Sequence, residues 1–100
     1  MMNNIDNLII LFDYYGELLT NKQKEYFKEY YFDNLTLSEI AENNEISKNA
    51  VSKELKLVSE KLLDFENKLN IYSKDKRIKR IIDKIENNDI KQQINNILDE

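Results

Sequence analysis

Apolar residues recur along this chain at intervals of three and four, the spacing that gives a helix one buried face. Ile5, Leu8, Phe12, Tyr15 and Leu19 form the first such stripe and predict a helix over about 5–19. Ile9, Ile10, Leu11, Tyr14 and Leu18 widen it over most of the circumference, so this helix needs cover on two sides. Either the C-terminal tail or a second copy of the chain supplies that cover. A homodimer through the apolar first helix is the expectation, because one small domain has few helices to spare for both faces.

Thr20 and Gln23 stand in the spacing of a capping box, in which the threonine hydroxyl accepts a free backbone N–H and the glutamine reaches back to the cap. The helix they open runs to about Phe32, with Tyr26, Phe27, Tyr30 and Tyr31 as an aromatic set. Such a set suits a core face better than a base-stacking platform when an apolar helix lies beside it. Thr36 and Glu39 form a second capping box, opening a short helix to about Asn43. Asn43, Asn44 and Glu45 then make a turn, and Ser47 caps a long helix from Lys48 to Leu69. Its inward face is Val51, Leu55, Val58, Leu62, Phe65 and Leu69. Tyr72 and Ser73 break the pattern. A basic helix follows to about Ile85, and after Asn87-Asn88-Asp89 comes a last amphipathic helix with Ile90, Ile94, Ile97 and Leu98. The reading is all-α, with a helix-turn-helix domain over 1–72 and a helical C-terminal extension over 73–100.

Composition agrees with helices. There is one glycine and no proline, whereas a β-rich fold punctuates its turns with both. Cysteine and histidine are absent, which removes disulfides, Cys/His zinc sites and histidine general-base catalysis. A single glycine forbids a glycine-rich phosphate loop. The carboxylates are dispersed among lysines as on ordinary solvated faces. No catalytic residue, metal site or cofactor is expected, and the chain does not read as an enzyme. The run Leu8 to Phe12 is too short to span a bilayer, and no signal peptide is evident, so a cytoplasmic protein without membrane insertion is expected. Asn, Lys and Ile are frequent in the way an AT-rich genome makes them, so frequency alone assigns none of them a role.

Charge is uneven. Residues 1–45 carry three lysines against nine acids, and residues 46–100 carry twelve bases against ten acids. Six of those bases, Lys74, Lys76, Arg77, Lys79, Arg80 and Lys84, crowd one short stretch. An anionic partner is therefore expected on the second half of the chain. A solvated helix face is the plainer reading of the same cluster.

The stretch 37–56 has the design of a helix-turn-helix. Ala41 is the small residue where two steeply crossing helices approach, and Ile40, Ile46, Val51 and Leu55 pin them together. The opposite face of the second helix presents Lys48, Asn49, Ser52, Lys53 and Lys56, the positions that would meet base edges and phosphates of DNA.

From Leu19 to Leu63 the sequence resembles region 4 of bacterial sigma factors, through the Leu-Thr and Gln23 opening one helix, the Ser-Glu-Ile-Ala helix and the Ile46-Ser47 turn exit. The wider frame is similar to the YlxM family of small bacterial helix-turn-helix proteins. The Asp-Tyr-Tyr-Gly-Glu-Leu-Leu-Thr run, Asp13 to Thr20, carries that resemblance, which covers about the first seventy residues. It implies a sigma-region-4-like helix-turn-helix bundle. It further implies a non-enzymatic accessory or regulatory role in the signal recognition particle pathway, with the particle's GTPase or RNA as partner. The basic cluster would then lie against RNA phosphates. A DNA-binding transcription regulator using 37–56 is the alternative. Asp13, Tyr14 and Tyr15 are expected to lock the first helix against the second.

The turn departs from the sigma pattern, whose Leu-Gly pair is replaced by Asn44-Glu45. Losing the leucine forfeits a buried anchor worth about 1.5–3 kcal/mol. Losing the glycine makes a left-handed residue costlier by roughly 1–2 kcal/mol, unless Asn44 takes that conformation. Glu45 and Glu54 also place acid near the three lysines, which weakens a DNA reading without touching the fold.

Overall fold

The computed structural model describes residues 5–100, with side chains from Asp6 onward. The place of Ile5 on the first apolar stripe lies outside those side chains. Regular structure among the described residues is helical. The chain divides into two compact units, one reaching Lys68 and the other spanning Leu69–Glu100.

In the first unit, α1 (Ile5–Tyr15) passes through a single 3-10 turn, Gly16–Leu18, into α2 (Asn21–Tyr31). α3 (Leu37–Asn44) and α4 (Lys48–Leu69) follow. The first helix is thus shorter than the apolar stripe, because the backbone tightens at Gly16. Leu8, Leu11, Tyr15 and Leu19 are buried, whereas Leu18 is 58% exposed. Phe12 stacks on Phe27 of α2, with ring centroids 4.2 Å apart and planes 5° from parallel, and Phe32 meets both rings edge-on. This aromatic cluster joins α1 to α2.

Both capping boxes form. The Thr20 N–H donates to Gln23 Oε1 and the Gln23 N–H to Thr20 Oγ1, each at 3.1 Å. The Thr36 N–H donates to Glu39 Oε1 at 3.0 Å and the Glu39 N–H to Thr36 Oγ1 at 3.1 Å. Each box satisfies backbone donors that a helix start leaves without a partner. Gln23 has a second use: it is buried, and its Oε1 also accepts from Lys61 Nζ of α4 at 3.3 Å. Between α2 and α3 the chain turns through Asn34 in the left-handed conformation, which asparagine adopts at little cost. Tyr26 and Phe27 are buried, Tyr31 is half-buried and Tyr30 lies at the surface, so the aromatic set is core on one side only.

α4 buries Val51, Leu55, Val58 and Leu62 in order, as the spacing predicts. Beyond Leu62 the stripe departs from expectation. Phe65 is half-buried, Leu69 is exposed, and Glu66 is buried instead, at 7% exposure.

The second unit holds α5 (Ile71–Ile82) and α6 (Asn88–Leu98). The helix break falls at Asn70, which is left-handed with φ 56°, rather than at Tyr72 and Ser73, which lie inside α5. α5 also stops at Ile82, short of Ile85. Asn87 caps α6, its Oδ1 accepting from the N–H groups of Asp89 and Ile90 at 3.0 and 3.1 Å. In α5 only Ile82 is fully buried, and in α6 no residue is.

Candidate nucleic-acid interface

The helix-turn-helix is built on one cluster: Tyr26 from α2, Ile40 and Ala41 from α3, and Val51 and Leu55 from α4. Leu35, Leu37 and Ile46 pack at its margin. Ala41 is buried within this cluster, where a larger side chain would crowd its neighbours.

The turn is closed by Glu45 in the left-handed conformation, φ 56° and ψ 41°. Its N–H bonds back to Glu42 O, and the Ile46 N–H reaches Ala41 O at 3.0 Å, the paired return bonds of a Schellman motif. Glycine is the residue that takes this position without steric cost. Asn44 does not take it. It is the last residue of α3, and its Nδ2 donates to Ile40 O at 2.8 Å and to the Glu29 carboxylate of α2 at 3.3 and 3.4 Å. A polar tie thus runs from α2 to the turn.

Ser47 caps α4, its Oγ accepting from the Ala50 N–H at 3.0 Å. This start sets the register that turns Val51 and Leu55 inward. Lys48, Asn49, Ser52, Lys53 and Lys56 are all exposed on α4, and among the described residues none of the three lysines is in an ion pair. Glu45 is exposed beside this face and Glu54 is half-buried within α4. A depression of about 200 Å³ runs from Ser52 and Lys56 across Leu37 and Ser59 to Tyr30 and Tyr31. Burial pushes the Tyr31 hydroxyl above its ordinary value, against the opposing effect of its hydrogen bond with Ser59.

Within the second unit, Lys74, Lys76, Arg77, Lys79 and Arg80 are exposed on α5, while Lys84 lies in the turn after it. Lys76 Nζ stands 5.7 Å from the centre of the Tyr72 ring, a cation–π distance. No acid among the described residues forms an ion pair with any of the six bases.

The Asp13–Gly16 run also reaches beyond the first two helices. Phe12 packs α1 on α2, while Tyr15 reaches α4: its hydroxyl donates to Glu66 Oε1 at 2.5 Å and its ring lies 6.0 Å from that of Phe65. A buried tyrosine at the end of one helix needs a polar partner for its hydroxyl, and that requirement was the available signal. Asp13 is exposed and lines a depression of about 560 Å³ between α1 and α2, with Ile9, Ile10, Phe12, Gly16, Glu17, Lys24, Lys28 and Phe32.

Among the described residues no helix is long and apolar enough to cross a membrane. Residues 2–100 match the family of helix-turn-helix proteins described as YlxM/p13-like. A UPF0122 protein of Ureaplasma parvum serovar 3 is 53% identical over 70 residues, covering 70% of this chain and 71% of the relative. A UPF0122 protein of Malacoplasma penetrans is 37% identical over 91 residues, with 91% and 85% covered. One of Listeria innocua is 38% identical over 86 residues, with 86% and 78% covered. This chain therefore belongs to the YlxM/p13-like family, a bacterial family of helix-turn-helix proteins.

Proposed function

We propose that the protein is a non-enzymatic accessory or regulatory factor of the signal recognition particle pathway, acting from the cytoplasm on the particle's GTPase or RNA. One observation carries the accessory reading. The helix-turn-helix is complete, but its outward face offers three unpaired lysines with Glu45 and Glu54 as neighbours. Proteins that hold duplex DNA with a steep salt dependence neutralise roughly 6–10 phosphates. A face this sparse suits a component that works against a partner already held by other contacts. The pathway itself rests on the Asp13–Thr20 run and its resemblance to the YlxM family, and the sigma-region-4 likeness of residues 19–63 supplies the scaffold.

A homodimer through α1 belongs to this reading. Ile9 and Ile10 of α1 are half-buried and Leu18 in the turn after it is exposed, so apolar surface remains that its own unit does not fully cover.

The second reading is a DNA-binding regulator, favoured by the exposure of Lys48, Asn49, Ser52, Lys53 and Lys56 on one helix. A salt-dependent titration separates the two. The purified protein is offered the particle's RNA, its GTPase and pooled genomic fragments in separate experiments. Saturable binding to RNA or GTPase, with weak salt-sensitive DNA binding, is expected. A specific fragment held at physiological salt, weakened by Lys53→Ala, with no affinity for either particle component, would overturn the accessory reading.

A further inference from the structure

We propose that α5 binds the surface of an anionic phospholipid bilayer, lying in the headgroup plane without crossing it. Ile71, Ile78, Ile81 and Ile82 fall within an arc of about 100° on a helical projection, an arc that Lys74 shares; Arg77 and Lys79 flank it, and Lys76 and Arg80 stand on the far side. Only Ile82 of the four isoleucines is buried; Ile78 is 40% exposed and Ile81 63%. By helical spacing Ile81 lies beside Lys74 and Arg77, so an exposed aliphatic side chain is flanked by bases that, among the described residues, no acid holds in an ion pair. A helix whose exposed isoleucines are bordered by lysine and arginine meets two demands of a bilayer surface. Ile78 and Ile81 enter the acyl boundary, while Lys74, Arg77 and Lys79 beside them snorkel to lipid phosphates.

The isoleucines decide the class of partner. Nucleic-acid phosphates would engage the bases and leave the aliphatic surface in water. A second copy of this helix would cover the isoleucines but bring two identical sets of bases together. The chain as a whole carries a net charge of -4, so general attraction to an anionic surface is absent and binding requires this local patch. The inference stands independently of what the helix-turn-helix contacts.

Co-sedimentation of the full chain with vesicles tests it, using phosphatidylcholine with and without phosphatidylglycerol. Binding is expected only to the phosphatidylglycerol vesicles, and it falls as salt rises. Arg77→Gln or Lys79→Gln should each weaken it roughly fivefold. The double substitution Ile78→Gln with Ile81→Gln should weaken it by at least about tenfold, with helicity followed by circular dichroism. If that variant loses helix, the single substitution Ile81→Gln, at the more exposed site, replaces it and should weaken binding in the same direction. Equal binding to both vesicle types, no binding to either, or binding that ignores the isoleucines would overturn the proposal. So would a patch whose isoleucine variants bind vesicles and single-stranded RNA as well as the parent does, because that is a phosphate patch alone. Loss of vesicle binding with RNA and GTPase titrations unchanged would leave the pathway reading where it stands.

Discussion

Tyr15 donates its hydroxyl to Glu66 across fifty-one positions of sequence, at 2.5 Å, with both residues buried. The bond ties the end of α1 to the last third of α4, and it explains why the apolar stripe of α4 admits an acid at the place where Phe65 and Leu69 turn outward. Burying a carboxylate is costly unless donors face it. Tyr15→Phe keeps the ring against Phe65 and removes the donor. It should destabilise the fold by about 1–3 kcal/mol. Thermal unfolding should then begin several degrees lower, at roughly 4–8 °C per kcal/mol for a domain this size. An unchanged midpoint would mean that the hydroxyl contributes nothing to holding the two helices.

The turn of the helix-turn-helix makes a second prediction. Glu45 occupies a left-handed position that disfavours a side chain, whereas Asn44 beside it is held in helical geometry by its bonds to Ile40 O and Glu29. Glu45→Gly relieves the steric cost and loses some unfolded-state entropy, for a net gain of about 1 kcal/mol. Asn44→Ala should lose about 1 kcal/mol through its hydrogen bonds. Urea unfolding midpoints of the two variants should therefore move in opposite directions. If both fall, Glu45 makes contacts that outweigh its strain.

These two sites mark where the sequence stops being legible. Capping boxes are local: Thr20 with Gln23 and Thr36 with Glu39 carry their geometry in a spacing of three, and the helix starts follow. The inward face of α4 from Val51 to Leu62 is equally local, because period alone places it. The left-handed residue of the turn is a competition between neighbours. Intrinsic preference favours Asn44, but its side chain is worth more to the fold as a donor to α2 and α3, and Glu45 is left with the strained position. Glu66 is harder still, since nothing near it in sequence reveals that Tyr15 will face it. The break before α5 follows the same logic: Asn70 tolerates a left-handed φ, and Tyr72 and Ser73 are free to continue as helix. The five candidate positions on α4 were visible because exposure on the far side of a known stripe follows from its period. For α5 the sequence revealed the bases, while exposure of Ile78 and Ile81 beside them required the structure.

A third prediction comes from comparing the two capping boxes, which are alike except that one titrates. Hydrogen bonding to Thr36, through its backbone N–H first and its side chain second, holds the Glu39 carboxyl below its ordinary value. A folded-state value below the unfolded one means that the contribution is fully present above the unfolded value and drains away as pH falls through the folded one. Glu39→Gln can accept the same Thr36 N–H without titrating, as Gln23 does for Thr20. Wild type should therefore lose stability relative to Glu39→Gln as pH falls through the carboxylate range, with no further change in their difference once both values are passed. Parallel curves of unfolding midpoint against pH would show that the bond to Thr36 does not depend on the charge.

The last prediction concerns Gly16, the one glycine of the chain. No left-handed backbone requires it, since no glycine here has positive φ. Its constraint is space. A Cβ at this position would stand 3.2 Å from Phe12 Cε1 and 3.3 Å from Cδ1 and Cζ, so the ring would have to move by a few tenths of an ångström. Phe12 cannot give freely, because Phe27 lies flat against one face and Phe32 meets it edge-on. Alanine would lower the entropy of the unfolded chain, a gain of about 0.4–1 kcal/mol. Crowding a packed ring typically costs about 1–3 kcal/mol. Gly16→Ala should therefore be destabilising by about 1 kcal/mol net. The same substitution in a Phe12→Leu background should be neutral or stabilising, because the smaller side chain leaves room for the methyl. A double-mutant cycle on unfolding free energies isolates that coupling. If Gly16→Ala costs the same in both backgrounds, the ring is not what keeps this position glycine.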